Sequence, residues 1–157
     1  MGKKKLAGII VGCLIVVISI ATPAISEPVM DYSRLLRSLR YYGASSIEEY
    51  ERIGWRYFRD TRGRRVEVNG SGMEVYEFNN ATAMEAEASA VSADGSLLSR
   101  CNCHWTCMCW HEGFDWTGTP GTPHFYKGGR IIVIYIGDNT STISLLVKAL
   151  GEQFAGV

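Results

Sequence analysis

Four cysteines fall within nine residues, in Arg100-Cys101-Asn102-Cys103-His104-Trp105-Thr106-Cys107-Met108-Cys109-Trp110-His111. Their spacing, Cys-x-Cys-x-x-x-Cys-x-Cys, is symmetric about Trp105. A hairpin with His104-Trp105-Thr106 as its loop sets Cys103 opposite Cys107 and Cys101 opposite Cys109. The two-residue period of a strand then puts all four on one face. Opposed residues in antiparallel strands have Cα atoms about 4.5 or 5.5 Å apart, a span that a disulfide bridges. The same cluster suits a thiolate centre for Zn²⁺ or Cu(I), with His104 or His111 as a further ligand and Met108 as a soft neighbour. Structural zinc sites more usually space their thiolates Cys-x-x-Cys. Covalent haem calls for Cys-x-x-Cys-His, whereas this chain has only Cys101-x-Cys103-His104. Thiol redox exchange is a further use of the group. The disulfide reading needs no cofactor; the metal reading takes Zn or Cu.

Trp105, Trp110 and Trp116 border the cysteines. At an exposed loop they are candidate partner-binding side chains; packed inward, they cover disulfides and sheet. Glu112 and Asp115 near His111 have the composition of an acid–base set. Acidic loop residues are common, however, and no residue is assigned as catalytic. The chain has no serine nucleophile elbow, phosphate loop or zinc-protease motif.

The compartment bears on the cysteines, because exported proteins meet oxidising conditions. Lys3, Lys4 and Lys5 precede an apolar run from Leu6 to Ala21, then Thr22-Pro23-Ala24-Ile25-Ser26. That is the order of a secretory signal, with Ala24 and Ser26 as the small pair before a cut that leaves Glu27 first. The alternative is an uncleaved anchor, since Leu6 to Ile25 is near the ~20 residues that cross a bilayer. Lysines on the amino side place the remaining chain outside the cytoplasm either way, secreted or tethered. An uncleaved segment would also bring membrane contact.

Removing residues 1–26 leaves 131 residues, enough for one domain and too few for two. It also leaves thirteen Lys and Arg against sixteen Asp and Glu, which argues against a nucleic-acid partner. At 46% hydrophobic and 20% charged, the composition excludes general disorder, a collagen, a coiled coil and a polytopic membrane protein.

Residues 27–157 must position the cysteine segment, a Cys/Trp-rich loop at about 100–118. Asp31 to Tyr42 carries Leu35, Leu36, Leu39 and Tyr42 on one helical face, ended by Gly43. Arg34, Arg37 and Arg40 fall on its other side, as a solvated face or a basic docking stripe. Ile47 to Phe58 is ambiguous between helix and strand, with Trp55, Tyr57 and Phe58 favouring strand at its end. Arg65-Val66-Glu67-Val68 runs into an Asn69-Gly70 turn, and Met73 to Phe78 returns as a second strand. Asn80 and Thr82 are caps for an alanine-rich helix with Met84, Ala88 and Val91 on one face, stopped by Asp94-Gly95. Pro120 to Pro123 reads as a turn. His124-Phe125-Tyr126 and the doubly apolar Ile131 to Ile136 form a hairpin whose second strand is central. Thr140 or Ser141 then caps a helix bearing Ile143, Leu146, Val147 and Leu150, and Phe154 folds back onto the core.

Residues 75–82 echo 133–140: each goes from strand to polar cap to helix after a glycine-bearing turn. The pattern predicts an α+β domain, a mainly antiparallel sheet with helices on one face, built as two hairpin-plus-helix units. Asn69-Gly70-Ser71, Asn80-Ala81-Thr82 and Asn139-Thr140-Ser141 match the N-glycosylation pattern, but each sits where asparagine serves a turn or cap.

From about residue 35 to 156 the chain resembles small exported, lipoprotein-like prokaryotic proteins of uncharacterised function. The resemblance is carried by Val66-Glu67-Val68-Asn69-Gly70, Val75-Tyr76-Glu77-Phe78, Val91-Ser92-Ala93-Asp94-Gly95, Pro123-His124-Phe125-Tyr126-Lys127, Ile132-Val133-Ile134-Tyr135-Ile136-Gly137-Asp138 and Leu150-Gly151-Glu152-Gln153-Phe154-Ala155-Gly156. It implies a shared fold and supplies no catalytic residue. The chain departs from it at Cys101 to Trp116. The expectation is a non-enzymatic extracytoplasmic module that binds an envelope or extracellular protein or ligand through its Cys/Trp loop. A metal-binding or thiol redox protein using the four cysteines is the alternative.

Overall fold

The computed structural model describes residues 29–53, 57–58, 61–102, 108–113 and 121–156, with backbone alone at 100–102 and 108–112. Six strands form one antiparallel sheet: β1 (Ile47–Ile53), β2 (Gly63–Val68), β3 (Ser71–Glu77), β6 (Pro123–Gly128), β7 (Ile131–Ile136) and β8 (Ala155–Gly156), in the order β1-β2-β3-β7-β6-β8. β4 (Leu97–Asn102) and β5 (Met108–Gly113) pair separately. The helices are α1 (Tyr32–Tyr41), α2 (Ala81–Ala88) and α3 (Thr140–Leu150). The α+β class with a mainly antiparallel sheet is the one the hydrophobic pattern predicts. The signal or anchor assigned to residues 1–26 lies outside the described residues. Among those described, no helix is long and apolar enough to cross a membrane.

Ile131–Ile136 is central, with β3 and β6 on its two edges, and residues from both its faces are buried. Val66, Val68, Met73, Val75, Tyr126, Ile131, Val133 and Tyr135 lie on one face beneath Leu35, Leu36 and Leu39 of α1 and Leu145 and Leu146 of α3. Tyr76, Phe125, Ile132 and Ile134 lie on the other with Phe58, Phe78, Met84, Ala88 and Leu98. Two helices share a face as expected, and α2 covers the opposite one. The strand ends explain this correction. β3 ends at Glu77, which belongs to the first face and meets Arg130 and the Tyr32 amide there. β7 ends at Ile136, of the second face. Each chain then takes three steps to its cap, Asn80 or Asn139, so the helices are delivered to opposite sides.

The echoed stretches lie side by side. β3 and β7 pair with Val75 opposite Val133, and that register is symmetric about the pair, so a local two-fold relates the inner strands. The hairpin-plus-helix units are present; the symmetry stops where their helices part to different faces.

The caps are asparagines and an aspartate. Asp31 accepts from the Arg34 amide, Asn80 from that of Ala83, and Asn139 from those of Ser141 and Thr142. Asn139 thus replaces the expected Thr140 or Ser141. Asn69, at φ 51°, accepts from the Ser45 and Ser46 amides and ties β1 to the β2–β3 turn. Three features differ from the sequence expectation. The ambiguous segment is strand only to Ile53, α2 stops at Ala88 before Val91, and the turn assigned to Pro123 is the first residue of β6. α3 buries Thr142, Leu145 and Leu146, with Ile143, Val147 and Leu150 packed partly around them. Phe154 does fold back, meeting Phe125 edge-on at 6.1 Å between ring centres.

Candidate functional site

The β4–β5 hairpin stands apart from the six-stranded sheet, and its register is the one the cysteine spacing dictates. Leu97 pairs with Gly113, Leu98 with Glu112, Ser99 with His111, Arg100 with Trp110, Cys101 with Cys109 and Asn102 with Met108. Every pair is symmetric about position 105. Cys101 and Cys109 are therefore direct cross-strand partners in the backbone, the arrangement that a disulfide or a shared metal needs. Their side chains, those of Trp110 and His111, and all of Cys103, His104, Trp105, Cys107, Asp115 and Trp116 lie outside the described residues. The pairing of Cys103 with Cys107 and the roles of the tryptophans and histidines lie there too.

The foot of this arm is built into the core. Leu98 is 2% exposed among Phe58, Phe78, Met84 and Phe125, and bridges Val91. The Ser99 amide donates to Ala90 O at 2.7 Å and the Ser92 amide to Leu97 O at 2.8 Å. Between them Asp94 accepts from the hydroxyls of Ser92 (2.6 Å) and Ser96 (2.7 Å) and from the Ser96 amide. These bonds, Ser92 first and then Ser96, hold its carboxyl down at about 2. Gly95 fits because its φ is 69° and a Cβ would come within 2.7 Å of Phe125. Beside it, the Gly156 amide donates to Ala93 O, so β8 closes over the same turn. The expected stop at Asp94-Gly95 is thus no helix end. It is the tight turn from which the arm departs.

His124, in β6, is held within the fold on both sides. It is buried and stacks on Tyr135 with ring centres 5.9 Å apart. Nδ1 meets Gln153 Oε1 at 2.6 Å, and Nε2 lies 3.2 Å from Gly137 O.

Sequence reasoning passed over a polar cleft of about 480 Å³, where the end of α1 and the β2–β3 turn meet α3. Gly43, Asn69, Thr140, Ser141, Ser144 and Lys148 line it. Its only sequence signal is the hydroxyl-rich opening of α3, which reads equally as capping chemistry. Tyr126 is buried with no partner for its hydroxyl among the described residues, and burial pushes its pKa above the usual phenol value. Among the described residues no group of three or more His, Cys, Asp or Glu is placed to hold a metal. No family model matches the chain, and no curated protein or solved structure matches it either.

Proposed function

We propose that this chain is a non-enzymatic extracytoplasmic module that presents the Cys/Trp hairpin to an envelope or extracellular partner. Two disulfides, Cys101–Cys109 and Cys103–Cys107, stiffen the arm. The observation that carries this reading is the cross-strand register of Cys101 with Cys109 on a hairpin that pairs apart from the six-stranded sheet and whose foot is anchored. Export, read from residues 1–26 and from the resemblance to small exported proteins, supplies the oxidant. Loops this short gain about 2–3 kcal/mol per disulfide in the chain-entropy model, less any strain. Their use is local: the rings at Trp105, Trp110 and Trp116 are presented without an ordering cost at binding.

The alternative reading uses the same opposition of Cys101 and Cys109 for a thiolate site holding Zn or Cu, or for thiol exchange. Non-reducing peptide mapping of the exported protein, run with a thiol count and metal analysis, separates them. Two cross-strand disulfides and no metal are expected. Four free thiols with stoichiometric zinc or copper would overturn the stapled arm. For the binding role, a photo-crosslinking residue at Trp105 should capture one defined partner in the producing cell. Capture that survives reduction of the arm unchanged would separate binding from the staple.

A further inference from the structure

The helices on the two faces of the sheet differ in charge, although Lys127 pairs with Glu85 on the α2 side. α1 and α3 carry Arg34, Arg37, Arg40 and Lys148 and no acidic residue, whereas α2 carries Glu85 and Glu87 and no basic one. On α1 the buried set is Tyr32, Leu35, Leu36 and Leu39, leaving Arg37, Arg40 and Tyr41 exposed, Tyr41 at 83%. Three of the acids bordering this layer are engaged inward, while Glu152, past the end of α3, is exposed. Asp31 caps α1, Glu49 accepts from the Tyr32 hydroxyl at 2.8 Å, and Glu77 pairs with Arg130 at 2.9 Å. Lys148 adds its charge beside the hydroxyls of Thr140, Ser141 and Ser144 at the cleft.

The chain outside the described residues ends at this layer. Arg130 N donates to Met30 O at 3.0 Å, and Gly129 is required because a Cβ would strike the Met30 backbone. Met30 is thereby pinned one residue before the cap of α1. Four residues, 26–29, separate it from Ile25, the end of the anchor reading's apolar segment, and those five steps reach at most ~18 Å. Next comes α1, about 15 Å long, bearing cations and an exposed tyrosine. A charged surface acts over about 8–10 Å in physiological salt, and a linker this short lets the cations of α1 come within that range.

Resting on the anchor reading of residues 6–25, we infer that the α1–α3 layer is the surface this protein lays against the phosphate headgroups of the bilayer that this apolar run enters. Arg37, Arg40 and Lys148 meet lipid phosphates, and Tyr41 sits at headgroup depth, where amphipathic rings are favoured. The acidic α2 side faces away. The side of the membrane follows from export; the contact itself is independent of the state of the cysteines.

The test is chemical footprinting of the full-length chain reconstituted in vesicles of phosphatidylcholine alone or with phosphatidylglycerol. Phenylglyoxal reads Arg37 and Arg40, and an acetylating ester reads Lys148. Exposed Arg65, whose position in β2 alternates with Val66 of the α1 face, is the internal reference. In the anionic vesicles, modification of Arg37, Arg40 and Lys148 should slow by about threefold or more, return in high salt, and leave Arg65 unchanged. The double variant R37E/R40E, at exposed positions, should melt as the wild type and lose the protection of Lys148. Equal rates in both vesicles, or protection of Arg65 instead, would overturn the inference. Equal protection by inorganic phosphate without vesicles would do so too, by assigning the layer to a free anion.

Discussion

On one face of the sheet, Val66, Val75, Val133 and their neighbours close under helices of ten and eleven residues. On the other, Tyr76, Phe125, Ile132 and Ile134 close under a helix of eight residues, a turn and the foot of an arm. The same strands feed both faces by alternation, so the apolar supply is similar. The first face is sealed by regular elements whose outer sides are left to charge. The second is sealed partly by side chains of a connection, Leu98 above all, and from that connection the hairpin departs. A surface feature can be anchored at its foot by side chains without the sheet being extended to meet it.

The sharpest way to break this comparison is to place a carboxylate on each face of β7. Val133→Asp on the first and Ile134→Asp on the second should each abolish folding. An unpaired buried acid costs roughly 4 kcal/mol or more, much of what a small domain has. Circular dichroism and melting would show it, and native melting of either variant would mean its face is not core.

Truncation grades the faces. Leu39→Ala should cost about 2–5 kcal/mol, as a fully buried leucine in a sealed layer does. Leu98→Ala should cost less globally, because the foot can relax, and should speed exchange of the Ser99 amide. Equal losses in denaturant unfolding would place the arm's foot inside the cooperative core.

Caps give a smaller contrast. Asn80→Ala should cost about 1 kcal/mol, whereas Asn139→Ala should cost more, since Asn139 serves two amides and also reaches Ser71 Oγ at 3.3 Å. Urea titrations of both variants measure the difference, and the reverse order would discount the Ser71 contact.

The smallest effect is local and acid-dependent. The Asp94 carboxyl is held at about 2, below its ordinary 3.8, first by Ser92 and then by Ser96. A depressed folded value means that the stabilisation is present above 3.8 and is lost as pH falls through about 2. Amide shifts of Ser96 and Leu97 should titrate with that low midpoint and be flat in Asp94→Asn. A midpoint at the ordinary carboxylate value would mean that the serine bonds do not persist in solution.

Much of this architecture is legible in the chain. Alternation and the Asn69-Gly70 turn specify β2–β3, the doubly apolar Ile131–Ile136 specifies a central strand, and the symmetric cysteine spacing specifies the Cys101–Cys109 register. Each of these is local, because a strand's period and a turn's backbone demand act over a few residues. What tertiary structure decided is non-local. Val91 reads as helical by spacing, yet leaves α2 to bridge Leu98, whose side chain is held in a core built from distant strands, and that packing outweighs a weak propensity. The expectation of helices on one face failed for a similar reason. Burial pattern marks which side of a helix is apolar, but the sheet face it meets depends on where the preceding strand stops pairing. Only partner strands and packing set that stop, at Glu77 for one strand and Ile136 for the other.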